Sequence, residues 1–229
     1  MLKSMNIVVC SVSMDVHSSL ATLHMAKALA GKVYPFVGIH PWSALDSDPS
    51  QLEKVLESSA EVYGIGEIGL DRKYVKNEEE YKKQRSIFLK LLEISEKARM
   101  PVSVHSRGSQ DEVIEYLSSF KLKSVLLHWF SGSQEQLKNA VDKGFYVSFG
   151  PSLIYSKKAK SLVTKAPVEL LLTETDGPVS YGACFGGRMA LPTFIPSVTF
   201  ALANILKMSF DEVSVQILDN FNRYIKGCG

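Results

Sequence analysis

A chain of 229 residues, 45% of them hydrophobic, has the material for one large α/β domain or two small ones. Twenty-six basic against 24 acidic side chains leave a formal charge of +2, so composition does not mark a nucleic-acid binder, and any polyanion would have to meet locally gathered charge. Three cysteines (Cys10, Cys184, Cys228) form an odd count without metal-ligand spacing, which argues for a reducing compartment. With no signal pattern and no apolar run of the ~20 residues that span a bilayer, the expectation is a soluble, cytoplasmic protein that binds no membrane.

In chain order, short apolar runs alternate with longer amphipathic stretches. The runs cover residues 6–13 (NIVVCSVS), 33–41 (VYPFVGIHP), 62–71 (VYGIGEIGLD), 101–107 (PVSVHSR), 124–132 (SVLLHWFSG), 146–151 (YVSFGP) and 170–178 (LLLTETDGP). Most are near-continuously apolar and β-branched, as parallel strands buried on both faces are. Between them the period is helical. Over 78–99, Tyr81, Gln84, Phe88, Leu91, Leu92, Ser95 and Ala98 share one stripe; Glu78–Glu80 suit the positive helix start, and Met100–Pro101 stops it. Capping-box spacing at Ser109/Glu112, Ser133/Gln136 and Ser209/Glu212 opens further helices, and Gly144 fits a C-terminal stop. Without a linker or composition break, residues 1–229 read as one domain. Its fold class is α/β: a TIM-type barrel, incomplete with seven parallel strands where eight units would ordinarily close it.

Polar side chains gather at the carboxyl ends of the runs: His40, then Glu67 and Asp71, then His105 and Arg107, then His128, then Asp176. In a parallel barrel those ends share one face, where active sites are built. Two histidines, a glutamate and an aspartate from four strand ends suit Zn, Mn or a related divalent ion. An ion so held acidifies its water and polarises a phosphoryl or carbonyl oxygen, and a neighbouring carboxylate can take the water's proton.

The blocks GIHPW (38–42), GEIGLD (66–71), PVSVHSR (101–107), HWFSG (128–132) and TETDGP (173–178) resemble, in order and spacing, the signatures of the TatD family. The Gln84…Phe88 helix and Asn220–Arg223 are also similar to the family's. The resemblance implies a metal-dependent hydrolase of the amidohydrolase superfamily, acting typically on DNA with one or two divalent ions (Zn, Mg or Mn). It implies that Glu67, His105, His128 and Asp176 bind metal and that Asp176 serves the attacking water.

The family's opening D-x-H-x-H strand has no counterpart ahead of residue 6, so the first βα unit, about 30 residues, reads as missing. The segment 15–20 (DVHSSL) superficially matches that block but stands too close to GIHPW to leave room for the second strand and its helix, and reads as a loop and helix start. An edge left by the missing strand would suit a homodimer. The family's Asn-x-Pro element is replaced by Gly187–Pro192 (GRMALP). Several residues keep two readings. His40 contacts substrate or orients its loop, and Asp71 buttresses a neighbour. Arg107 takes a phosphate oxygen or a structural carboxylate. Lys157, Lys158 and Lys160 track a nucleic-acid backbone or form a solvated face. Tyr74, Trp129 and Tyr155 stack bases or pack. Three functions are consistent with this pattern: DNA phosphodiester hydrolysis, hydrolysis of another ester or amide, and a non-catalytic binding remnant.

Overall fold

The structure, a computed structural model, describes residues 4–227. Its parallel sheet has seven strands in sequential order, β1 to β7, as the alternating runs predict. Over the described residues, chain packing divides into two compact units, residues 4–126 with 227, and residues 127–226.

The first unit carries β1 (Val9–Ser11), α1 (Val16–Ala28), β2 (Val33–Val37), α2 (Pro49–Ser58), β3 (Gly64–Gly69), α3 (Glu78–Ala98), β4 (Val102–His105) and α4 (Gln110–Ser118). The segment beginning at Asp15 is a helix start. The Asp15 carboxylate accepts the Ser18 amide at 2.7 Å, and Ser18 Oγ accepts the Asp15 amide at 3.0 Å, a reciprocal cap. β3 is buried at all six positions, including Glu67. Its glycines allow close strand approach: Gly69 has φ +140°, and a Cβ there would lie 2.0 Å from the His105 carbonyl oxygen.

On α3 the stripe is buried from Tyr81 through Ser95, joined by Ile87 and Ile94, while Ala98 is exposed. Arg99 closes the helix in the left-handed conformation, ahead of Pro101. Buried Gln84 fastens two loops: its Oε1 accepts the Asp71 amide and its Nε2 donates to the Pro41 carbonyl, each at 3.0 Å. The Ser109/Glu112 capping box does not form. Glu112 instead accepts Tyr81 Oη at 2.7 Å and Arg85 Nε at 2.7 Å, and Ser109 Oγ lies 2.9 Å from the same phenol. A tertiary partner with a full charge outcompetes the local amide.

The division between units falls within β5 (Val125–Leu127). The second unit continues with α5 (Gln134–Asp142), β6 (Tyr146–Phe149), α6 (Lys157–Val163), β7 (Leu171–Thr173), a hairpin of β8 (Ser180–Tyr181) and β9 (Arg188–Met189), α7 (Ile195–Leu206) and α8 (Phe210–Lys226). The boxes at Ser133/Gln136 and Ser209/Glu212 both form, and Gly144 stops α5 at φ +75°. The Gly187–Pro192 segment contributes the second hairpin strand. Asn220, fully buried on α8, donates to the Val168 and Leu171 carbonyls at 2.7 Å each, tying α8 to the start of β7. Cys10 and Cys184 are free thiols; Cys228 lies outside the described residues. Among the described residues no single helix is long and apolar enough to cross a membrane.

Candidate metal centre

In the first unit, β2, β3 and β4 bring three donor atoms together. His105 Nδ1 lies 2.9 Å from Glu67 Oε1, His40 Nε2 lies 3.1 Å from the same oxygen, and the two ring nitrogens are 3.4 Å apart. These separations resemble the edges of a coordination shell with metal–ligand distances of ~2.0–2.2 Å. His40 and Glu67 are buried, and His105 is partly covered.

Hydrogen bonds behind the rings distinguish the two histidines. His105 Nε2 faces Asp71 Oδ2 at 3.1 Å. Burial alone would raise the Asp71 carboxyl, but bonds from His105, Trp42 and Arg107 hold it well below the usual carboxylate range. It is therefore an acceptor, which places a proton on His105 Nε2; in the neutral ring the Nδ1 lone pair is then aimed at Glu67. A lone pair and a carboxylate oxygen 2.9 Å apart repel unless a proton or a cation lies between them. His40 is the reverse case. Its Nδ1 accepts the Trp42 backbone N–H at 3.1 Å, so Nε2 carries the proton of the neutral ring and donates to Glu67. The donor set suits a divalent ion: Glu67 and the unprotonated Nδ1 of His105 as ligands, with His40 as a hydrogen-bond donor beside them.

Asp71 organises this corner. Fully buried, it accepts His105 Nε2 and Trp42 Nε1 (2.8 Å) on Oδ2, and Arg107 Nε and the Lys73 amide (3.0 Å each) on Oδ1. Arg107 thus forms an ion pair with Asp71 while half its side chain stays exposed.

In the second unit, His128 follows β5 and Asp176 follows β7. His128 Nδ1 lies 3.7 Å from Glu174 Oε2, an oxygen that also accepts Ser148 Oγ at 2.6 Å and the Trp129 amide at 3.1 Å. Trp129 and Asp176 both have positive φ, +40° and +50°. For tryptophan this is a strained conformation, of the sort found at functional sites. Glu174 Oε1 and the Tyr181 hydroxyl are buried without a hydrogen-bonding partner among the described residues. Burial first, then the charges of Glu174 and Asp176, push the Tyr181 phenol far up.

The family model for TatD related DNase matches residues 3–226. The chain belongs to the TatD family. Its TatD relatives include the Bacillus subtilis protein YabD, named as an uncharacterised metal-dependent hydrolase. YabD is 28% identical over 200 residues, covering 85% of this chain and 78% of that one. MJ1582 of Methanocaldococcus jannaschii, named likewise, is 29% identical over 228 residues, covering 98% and 87%. Human deoxyribonuclease TATDN3 is 27% identical over 168 residues, 68% of this chain and 61% of its own. Among solved structures, the TatD homologue YjjV of Escherichia coli superposes with a TM-score of 0.87 at 25% identity, covering 96% of this chain and 86% of that one. The chain is thus a metal-dependent hydrolase of TatD type on a TIM-type α/β fold.

Of the residues singled out in the sequence, the first unit brings His40, Glu67, Asp71, His105 and Arg107 into one network. Glu174 was missed, although TETD carries two carboxylates at the end of one run, of which only Asp176 was singled out.

Proposed function

We propose that the chain hydrolyses phosphodiester bonds in DNA with a metal-activated water. The supporting observation is the convergence of His105 Nδ1, at 2.9 Å, and His40 Nε2, at 3.1 Å, on one oxygen of the buried Glu67 carboxylate. A divalent ion (Zn, Mg or Mn; one or two per chain) would supply Lewis-acid polarisation and an acidified water. Glu67 and His105 would hold an ion in the first unit, and the motif positions of His128 and Asp176 imply that these two would be metal ligands in the second. The Asp176 carboxylate accepts the proton of the attacking water. The exposed part of Arg107 binds a phosphate oxygen, and His40 is the second substrate-binding residue, its Nε2 proton passing from Glu67 to a phosphate oxygen once a cation takes that carboxylate. The deoxyribonuclease name of the human relative supports the substrate, and names limited to metal-dependent hydrolase keep another ester or amide as the second reading. The reading takes residues 1–229 as one family domain in the cytoplasm. It includes a homodimer over the β1 edge, where among the described residues β1 pairs with β2 alone, a point that sedimentation settles.

The test is cleavage of labelled single-stranded DNA with added Mg, Mn or Zn, alongside metal analysis. Loss of cutting in both Asp176→Asn and Glu67→Gln, with metal content reduced in the latter, supports the reading. Cutting unchanged in Asp176→Asn overturns the mechanism. Turnover of esters or amides with none of DNA overturns the substrate.

A further inference from the structure

Beside the His40–Glu67–His105 cluster stands a pair of aromatic rings that the hydrolytic chemistry does not use. Trp42 and Tyr74 stack with centroids 5.1 Å apart and planes 20° from parallel, yet they remain 41% and 48% exposed. Large rings are usually placed to bury their surface. This stack is also held in position. Trp42 Nε1 donates at 2.8 Å to Asp71 Oδ2, the oxygen that His105 Nε2 reaches. Tyr74 ends a turn hung on Asp71, its amide 3.3 Å from the Asp71 carbonyl oxygen and the preceding Lys73 amide 3.0 Å from Oδ1. The edge of the His40 ring meets Trp42 at 4.9 Å, and the Arg107 guanidinium lies 5.9 Å from the Trp42 ring. One buried carboxylate therefore locates a histidine of the cluster, an exposed aromatic pair and a half-exposed guanidinium.

Resting on the DNA reading above, we propose that the Trp42–Tyr74 stack is a nucleobase platform, with the outer face of Tyr74 receiving one unpaired base of the substrate. Aromatic faces beside cationic side chains are the means by which proteins hold single strands without reading sequence. A base inside a duplex is already stacked on both sides. The platform therefore selects single-stranded segments or frayed ends, and it tolerates any base. Arg107 lies where the phosphate next to that base would pass. Arg72 does not contribute, since its guanidinium is committed to Glu78 at 2.8 Å and to the Tyr81 ring.

The test separates the base from the backbone. Steady-state cleavage is measured for wild type, Tyr74→Ala and Tyr74→Phe on a single-stranded oligothymidylate, and on an oligomer of equal length built from abasic sugar-phosphate units. Tyr74→Ala raises KM about tenfold on the intact strand, the loss of one base–aromatic stack, with kcat unchanged and no effect on the abasic strand. Tyr74→Phe, which keeps the ring, matches wild type on both. A KM unchanged in Tyr74→Ala, or raised equally on both strands, overturns the platform while leaving the nuclease reading intact. Wild type that neither binds nor cuts DNA overturns both.

Discussion

Asp71→Asn is the sharpest test of how the centre is held. The native carboxylate receives four donors, two on each oxygen, from a fully buried position. An amide of the same shape keeps one acceptor oxygen and turns its NH2 against the other two donors, whichever way it is oriented. The less costly orientation sets the NH2 toward Arg107 and the Lys73 amide, where water can enter beside the half-exposed guanidinium. Two bonds to a charged acceptor, at ~1.5–3 kcal/mol each and discounted for that solvent access, give a loss of about 2–4 kcal/mol in stability. The His105 proton then faces a neutral oxygen, so Nδ1 becomes a weaker donor to metal, and affinity falls about 10- to 100-fold. Urea unfolding with chelator present measures the first effect, and competition with a chromophoric chelator the second. The depressed carboxyl stabilises the fold above its unfolded value of about 4, and that contribution is lost as pH falls through its lower folded value. Asp71→Asn consequently flattens the acid limb of the stability curve. Metal affinity within twofold of wild type, together with a stability change below ~0.5 kcal/mol, would refute the argument that Asp71 sets the His105 tautomer.

Three further outcomes follow from packing. Tyr81, pushed up to about 12 first by burial and then by Glu112, favours its neutral form in the fold, so its contribution holds below pH ~10 and falls by on the order of 2–3 kcal/mol as pH approaches 12. Thermal denaturation from pH 9 to 12 shows a slope that is shallower by that amount in Tyr81→Phe, the raised Tyr181 phenol supplying part of what remains. Asn220→Ala leaves the buried Leu171 carbonyl and the part-buried Val168 carbonyl without this donor and costs about 2–4 kcal/mol by urea unfolding, whereas exposed Asp219→Ala stays within ~0.5 kcal/mol. Gly69→Ala prevents folding to a soluble product, because its Cβ would meet the His105 carbonyl oxygen at 2.0 Å; Gly144→Ala, in open space at φ +75°, costs only about 1–2 kcal/mol.

The fold was legible because strands buried on both faces leave continuous apolar runs, and all seven runs contain one of β1 to β7. Their ends were less legible. The run at 170–178 supplies a strand of only three residues, Leu171–Thr173, after which the chain turns at Asp176 in the left-handed conformation. Caps followed the same division. Ser133 and Ser209 sit on exposed helix starts, and both of their boxes form. Ser109 has the same spacing beside the phenol of Tyr81, and long-range charge drew its glutamate away. Spacing reports what a segment can do alone, and it fails where a distant charged group offers a stronger bond.

The same limit governs the centre. Motif position set His40 apart from the metal-binding group of Glu67, His105, His128 and Asp176, but strand-end position alone does not separate His40 from His105. What separates them is the second ring nitrogen. For His40 it meets a backbone N–H two residues on; for His105 it meets a carboxylate 34 residues earlier in the chain. Each contact dictates where the proton resides, and so which ring can offer a lone pair to a cation. Glu174 escaped notice for a related reason: in TETD its carboxylate looks interchangeable with that of Asp176, until Ser148 and the Trp129 amide are seen to converge on one of its oxygens. Residue type and strand position therefore select the candidates, while the partner behind each side chain assigns its role. A metal titration of His40→Gln beside His105→Gln puts that distinction to measurement. Only the His105 substitution should abolish binding at Glu67, and equal losses would mean that both rings ligate.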